Sequence, residues 1–220
     1  SPYRRPETGW EIYAPLIANE IGVACAPDSA GFARALARWQ DAHGGAPSGV
    51  FGGEDFAAFR AAWNGKRNVM RRPGTCPDPP PASNLALATP AESYGGKQIE
   101  LRPRALEAYR AMIKAARAEA PATEGYLQIF SAYRSPAYDA ARCARDGNCD
   151  GVRRAVSCSP HRTGLVMDVY LGAAPGYGPD STADENRRGR GRGAAEKGRV
   201  KNAARLGFAN YPFEPWHLEW

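Results

Sequence analysis

Four residues in two short segments of this sequence can together hold and use a catalytic metal ion. His161 and Asp168 lie in Ser-Pro-His-Arg-Thr-Gly-Leu-Val-Met-Asp at 159–168, and Glu214 and His217 lie in Glu-Pro-Trp-His at 214–217. Two histidines and a carboxylate are a frequent zinc ligand set that leaves a fourth position for water. A further carboxylate beside that position can take a proton from the water. The segments predict zinc as cofactor, with His161, Asp168 and His217 as ligands and Glu214 as general base.

Asp168 lies within an apolar segment, 165–171, that we expect to form a strand. A carboxylate among apolar residues is costly unless it is paired or bound to a metal. A salt bridge to one of the many arginines is the alternative to metal binding. The Glu-Pro-Trp-His segment supplies the remaining ligand and base, and this favours the metal.

The segment that holds His217 is predicted to be a turn leading into a strand at 216–220. Pro212 and Pro215 exclude a regular helix through Glu214 and His217. Glu219 lies on the same strand face as His217 because side chains alternate along a strand. Glu219 is either an outer partner of a ligand or a surface carboxylate, and its position near the chain end favours the surface.

The elements that must position these residues suggest an α+β chain of 220 residues. Residues 1–70 carry three helical patterns: one at 11–21, one that begins after Ser29 and one through Phe56, Phe59 and Trp63. Prolines break up 71–96, which is predicted to be a linker. The domain at 97–220 is predicted to contain an amphipathic helix at 101–120, strands at 126–130, 165–171 and 216–220, and a helix at 194–206.

The net charge of +6 predicts attraction to anionic polymers such as cell wall or nucleic acid. The densest basic cluster, 187–192, continues to Lys197, Arg199 and Lys201, and its glycines lead us to expect a solvated and mobile loop. It lacks the interleaved aromatics of a nucleic-acid surface, and we expect no nucleic-acid partner. No apolar run approaches the roughly 20 residues that span a bilayer.

The five cysteines are expected to form disulfides, which would place the chain outside the cytosol. Cys143 and Cys149 suit a small disulfide loop, and Cys25 and Cys76 could join the ends of the N-terminal region. Five unpaired thiols in a cytosolic protein are the alternative. The first residues lack the apolar core of an export signal, as in a mature or trimmed exported chain or in one that never had a signal. We expect a periplasmic or extracellular location.

Three motifs in order make residues 100–220 resemble the VanY-like D-alanyl-D-alanine carboxypeptidases of the LAS zinc peptidases. They are Ser-x-His-x-x-Gly-x-x-x-Asp, Glu-x-Trp-His and, upstream, Ser-Ala-Tyr-Arg-Ser at 131–135, where Ala132 replaces the usual glycine. The resemblance implies a small antiparallel-sheet domain of the LAS or hedgehog-like kind. It implies the zinc ligands and base named above, Arg134 as the partner of the substrate carboxylate and Ser159 as a substrate-positioning hydroxyl.

The N-terminal region resembles a second family over about thirty residues. Residues 35–40 and 48–59 are similar to the three-helix peptidoglycan-binding module, with Ser48 where that family usually has Asp. An ordinary helical appendage packed on the catalytic domain is the alternative.

The two resemblances imply a zinc-dependent D-alanyl-D-alanine carboxypeptidase acting on peptidoglycan stem peptides. An L,D-carboxypeptidase or a peptidoglycan endopeptidase of the same group is the nearest alternative. A cell-wall binding protein without turnover is another, although such a protein needs no residue in the place of Glu214.

Overall fold

The computed structural model describes residues 7, 9–67, 76–120, 125–147, 159–191 and 193–220. Over these residues helices combine with two small antiparallel sheets, which confirms the predicted α+β class. The seven α-helices in this part are α1 (Ala14–Glu20), α2 (Ala30–Ala42), α3 (Gly53–Gly65), α4 (Pro103–Glu119), α5 (Pro136–Arg145), α6 (Asp184–Gly191) and α7 (Ala194–Ala203). The strands there are β1 (Ala86–Leu87), β2 (Glu100–Leu101), β3 (Ile129–Ser131), β4 (Val166–Val169), β5 (Ala209–Asn210) and β6 (His217–Glu219). No described helix has the length and apolarity needed to cross a membrane.

The larger sheet has the strand order β3-β4-β6-β5, and every neighbouring pair in it is antiparallel. Asp168 of β4 lies directly opposite His217 of β6, and Ser131 of β3 lies opposite Asp168 on its other side. Opposed residues project from the same face of a sheet, with Cβ atoms about 4.5–5.5 Å apart. The strand register therefore places two of the predicted metal ligands side by side.

The main core lies between α4 and the other face of this sheet. The predicted helix at 101–120 is confirmed, and its apolar face is buried together with residues of β3, β4 and β6 in one cluster that includes Leu106, Tyr109, Met112, Ile129, Met167, Val169 and Leu218. Met167 and Val169 flank Asp168 in β4, and side chains alternate along a strand. Asp168 therefore points away from this core, toward the face that carries the site.

Helices α1–α3 form the N-terminal part of the chain, and they pack against its C-terminal part. The hydroxyl of Ser29 accepts a hydrogen bond from the Phe32 amide at 3.2 Å, which caps α2 as predicted. The apolar cluster of these helices also includes Val200 of α7 and Phe213. Each fully buried large apolar side chain contributes roughly 1.5–3 kcal/mol, so this packing holds the two parts together.

The segment predicted to be a linker is described from residue 76 onward. It contains β1 and the short 3₁₀ turns Ala82–Asn84, Pro90–Glu92 and Tyr94–Gly96. Tyr94 stacks on Tyr170 with ring centroids 4.2 Å apart. The last part of this segment therefore packs against the residues that follow β4.

The expectation that the Gly/Arg-rich tract is a solvated, mobile loop is wrong. Residues 187–191 lie in α6, the predicted helix at 194–206 is confirmed by α7, and Arg187, Arg190 and Arg199 are buried in these two helices. Arg187 pairs with Glu7 and donates to the Tyr13 hydroxyl at 3.0 Å. Arg190 donates to two backbone carbonyls and Arg199 pairs with Glu196 at 2.7 Å. Internal acceptors therefore replace water at most of the nitrogen atoms of these three guanidinium groups.

The predicted staple between Cys25 and Cys76 is also wrong, because Cys25 is a free and exposed cysteine. Cys76 and Cys143 are each disulfide-bonded, and no disulfide joins two of the three described cysteines. The predicted Cys143–Cys149 loop involves Cys149, which lies outside the described residues, as does Cys158.

Candidate metal centre

His161, Asp168 and His217 form a compact buried group. His161 Nε2 lies 3.2 Å from Asp168 Oδ2, and His217 Nδ1 lies 3.0 Å from Asp168 Oδ1. One ligand atom from each residue lies within 4.8 Å of the other two. At most 6% of any of the three side chains is exposed. Zinc takes histidine nitrogen and carboxylate oxygen together, and this group could hold such a metal ion.

The second nitrogen of each histidine faces a hydrogen-bond acceptor. His161 Nδ1 lies 2.7 Å from the Ala132 carbonyl oxygen, and His217 Nε2 lies 3.2 Å from Glu219 Oε1. A proton on each of these nitrogens leaves His161 Nε2 and His217 Nδ1 with free lone pairs beside Asp168. Metal-binding histidines almost always have such an outer partner, which fixes the ring and its tautomer. The arrangement therefore fits a metal-binding role for both histidines.

The electrostatics of the group favour a positive charge between its members. Burial raises the pKa of Asp168, but the charges and hydrogen bonds of His161 and His217 outweigh burial and hold that pKa well below its usual range. Burial lowers the pKa of His217, but its hydrogen bonds to Asp168 and Glu219 and the nearby carboxylate charges raise it to about 9. Negative charge around His217 stabilises a cation there, whether that cation is a proton or a metal ion.

Glu214 lies at the edge of this group, with 36% of its side chain exposed and Oε2 3.7 Å from His217 Nδ1. The turn before β6 fixes its position, since the His217 amide donates to the Glu214 carbonyl at 2.8 Å. Burial raises the pKa of the Glu214 carboxyl, the charge of His217 opposes this, and the charge of Asp168 adds to it. A partly exposed carboxylate with a raised pKa beside a candidate metal site is suited to general acid–base catalysis.

Arg134 and Ser159 complete the set of predicted site residues. Arg134 NH2 donates to Asp168 Oδ2 at 3.3 Å, and NH1 donates to Ser159 Oγ at 3.5 Å. Ser131, opposite Asp168 in the sheet, accepts from Arg134 Nε and NH2 at 3.3 and 3.2 Å. The structure thus brings all six predicted residues together and places a guanidinium group beside the three-ligand group.

A tight turn positions His161 ahead of β4. Pro160–Thr163 forms a single 3₁₀ turn that ends at Gly164, which has φ of 69°. The Arg102 amide donates to the Gly164 carbonyl at 2.8 Å, which ties the turn to the start of α4. A Cβ atom at Gly164 would lie 3.0 Å from Leu85 Cδ2. Both the backbone angle and the available space favour glycine here.

We expect Gly164→Ala to lower the free energy of unfolding by about 1–3 kcal/mol, because the left-handed conformation alone costs roughly 1–2 kcal/mol in an L-residue. Urea denaturation measures this change. Gly189→Ala is the matched control, since Gly189 lies inside α6 at ordinary φ with nothing within 4 Å of the added carbon. Removing a helix-interior glycine should stabilise the chain by about 0.5–1 kcal/mol. Equal effects at the two positions would contradict this account of the turn.

One residue of the site was expected to lie elsewhere, and another was not predicted at all. The preference for Glu219 as a surface carboxylate is wrong, because Glu219 is fully buried and accepts from His217. Arg67, from the N-terminal part, pairs with Glu219 and was not predicted. A basic residue 152 positions away from its partner carries no local signal of such a role.

No protein-family model and no curated protein matches this chain. The function of the chain is therefore inferred from the site and from the sequence motifs.

Proposed function

We propose that the chain is a zinc-dependent D-alanyl-D-alanine carboxypeptidase that removes the terminal residue of peptidoglycan stem peptides. The observation that carries the proposal is the buried His161–Asp168–His217 group with Glu214 and Arg134 at its edge. A metal-binding protein without turnover needs neither a carboxylate of raised pKa nor a cation beside its ligands. An exopeptidase needs both.

The ligand set and its outer partners are the part of the site that would hold zinc. When bound, zinc supplies Lewis-acid chemistry and lowers the pKa of a coordinated water toward about 7. Glu214 would accept a proton from the attacking water and return it to the leaving amine, since a partly exposed carboxylate beside the ligand group can act as general base and then as general acid. The Ala132 carbonyl and Glu219 would keep the histidine rings in their metal-facing tautomers.

Arg134 would bind the free carboxylate at the end of the peptide. A guanidinium group presents paired donors that match a carboxylate, and 15% of this side chain is exposed. Ser159 lies within reach of the same guanidinium group and would orient the peptide with its hydroxyl. Recognition of a terminal carboxylate by Arg134 would restrict the reaction to the last peptide bond.

We expect Arg134→Met to lower kcat/KM by about 10–150-fold on a peptide with a free carboxylate, since a hydrogen bond to a charged group is worth about 1.5–3 kcal/mol. Steady-state kinetics on a D-Ala-D-Ala-ended pentapeptide measures the loss. The wild-type chain should lose a similar factor on the same peptide with an amidated end. On the amidated peptide, Arg134→Met should therefore cause little further loss of kcat/KM.

Arg142→Met is the matched control, because Arg142 lies on α5 with 36% of its side chain exposed and pairs with Asp146. It should leave kcat/KM within about twofold of wild type. If Arg134→Met costs as much on the amidated peptide as on the free acid, Arg134 does not recognise the carboxylate.

The proposal extends to the location of the chain and to its partner. A net charge of +6 favours association with anionic cell wall, and helices α2 and α3 carry the residues that resemble a peptidoglycan-binding module. We therefore propose a periplasmic or extracellular location and peptidoglycan peptides as the partner.

Digestion of muropeptides followed by mass spectrometry tests the proposed specificity. Loss of one D-alanine from pentapeptide stems is the expected result. Loss of a terminal D-residue that is bonded to an L-configured centre indicates an L,D-carboxypeptidase. Cleavage of the cross-links between stem peptides indicates an endopeptidase. No cleavage by a chain that carries zinc would leave the cell-wall binding protein as the better assignment.

A further inference from the structure

The N-terminal part of the chain reaches the metal centre through one buried side chain. Arg67 follows α3, and it donates from Nε to Glu219 Oε1 at 3.0 Å and from NH2 to the same oxygen. That oxygen also faces His217 Nε2 at 3.2 Å. A chain of three side chains thus runs from the end of α3 to a metal-binding histidine.

We propose that Arg67 is a positioning residue of the metal centre, which holds Glu219, and through Glu219 the ring of His217, in the orientation that binds metal. The inference rests on the metal site of the proposed function. It assigns the N-terminal helices a role in building that site, in addition to any contact they make with cell wall.

Because both side chains are buried, the Glu219 carboxylate needs the positive charge of Arg67 to remain in its position. The side chain of Glu219 is not exposed, and that of Arg67 is 9% exposed. Glu219 Oε2 has no hydrogen-bond partner among the described residues. A buried carboxylate that loses its cation is strongly disfavoured and must find another partner or draw in water. Either change would move Glu219 Oε1 away from the His217 ring.

A second contact brings Arg67 to the same histidine. Its guanidinium group lies over the ring of Tyr211, 4.1 Å from the centroid, as in a cation–π contact. The Tyr211 ring packs edge-on against the His217 ring, with centroids 5.6 Å apart and planes at 69°. Arg67 therefore constrains His217 both at Nε2, through Glu219, and at the ring, through Tyr211.

Metal affinity distinguishes a residue that positions His217 from one that only stabilises the packing of the two parts of the chain. Loss of an outer-shell partner typically weakens metal binding about 10–100-fold. We expect Arg67→Met to raise the Kd for zinc by about tenfold or more, measured by competition with a chromophoric chelator. Arg67→Lys retains the charge and one donor and should raise the Kd less. The cobalt-substituted Arg67→Met chain should show a shifted visible absorption spectrum, because the geometry at His217 changes.

Lys66→Met is the matched control. Lys66 is the adjacent cation, 59% of its side chain is exposed, and it pairs with Glu20 at 2.6 Å on the N-terminal part. It should leave zinc affinity and the cobalt spectrum unchanged. Melting temperatures of each chain with and without zinc then separate a stabilising role from a positioning role. Loss of a residue that only stabilises the fold lowers both melting temperatures equally. Loss of a positioning residue also reduces the increase in melting temperature that zinc produces.

Each outcome decides the inference. An Arg67→Met chain that folds and binds zinc within twofold of wild type, with an unchanged cobalt spectrum, overturns it. If Arg67→Met does not fold, Arg67→Lys and Glu219→Gln are measured singly and together. If the free-energy changes in zinc binding of the two single variants add up to that of the double variant, the inference is overturned. A double variant whose loss is much smaller than that sum supports the inference. A wild-type chain that binds no zinc overturns the proposed function as well, whereas normal wild-type binding and peptide cleavage with no Arg67 effect overturn this inference alone.

Discussion

Glu214→Gln is expected to lower kcat by about 10²–10⁴-fold while the chain keeps its zinc, because a positioned general acid–base contributes that factor. Glutamine preserves the size of the side chain and removes its capacity to accept a proton. Glu214 is not one of the three ligand residues, so zinc content should stay at the wild-type level. Single-turnover and steady-state kinetics with metal analysis of the same sample measure both quantities.

The comparison variant for this prediction is Glu54→Gln. Glu54 is an exposed carboxylate in the first turn of α3, on the N-terminal part of the chain. Its loss should not change kcat beyond about twofold. Full activity of a zinc-loaded Glu214→Gln chain would remove Glu214 from the mechanism.

Asp168→Asn should weaken zinc binding by more than the roughly 10–100-fold that loss of an outer partner costs, since it removes the anion of the ligand set. Asp168 is the member that contacts both histidines and the guanidinium group of Arg134. Without its charge, two buried histidines and a cation lie close together, and a divalent ion is less favoured there. Peptide hydrolysis should fall in parallel with zinc content and should be partly restored by excess zinc.

Asp139→Asn is a stringent control for the Asp168 variant. Asp139 is also fully buried and also feels the charge of Arg134, but it lies on α5 outside the ligand set. Burial raises the pKa of Asp139, and the charges of three arginines only partly oppose this, whereas the histidines lower the pKa of Asp168. Zinc affinity should change by less than about threefold in Asp139→Asn. Equal losses in the two variants would show that buried charge, and not ligation, sets the affinity.

The elements that follow local rules are the ones that the sequence predicts well. The apolar spacing of α4 and the Ser29 cap of α2 each depend on a few neighbouring residues, and both are present. The site motifs are also short, so His161 with Asp168, and Glu214 with His217, are recognisable before any fold is known. Their meeting depends on the pairing of β4 with β6, which the motifs imply but do not specify.

The errors fall where burial depends on distant partners. Arg187 occurs in a tract whose composition suggests a solvated loop, and it is buried with its charge paired to Glu7, 180 positions away. Glu219 lies one residue from the chain end, yet its strand pairs on both sides and Arg67 covers it. Such pairings are set by tertiary packing, and nothing in the spacing of the residues indicates them.

The most direct test of the account is zinc titration of the metal-stripped chain with simultaneous assay of a D-Ala-D-Ala-ended pentapeptide. We expect D-alanine release to rise with added zinc and to level off at one zinc per chain. His217→Ala should neither bind that zinc nor release D-alanine. Release of D-alanine at an undiminished rate by the stripped chain, or a zinc-loaded chain that leaves the pentapeptide intact, would contradict the assignment.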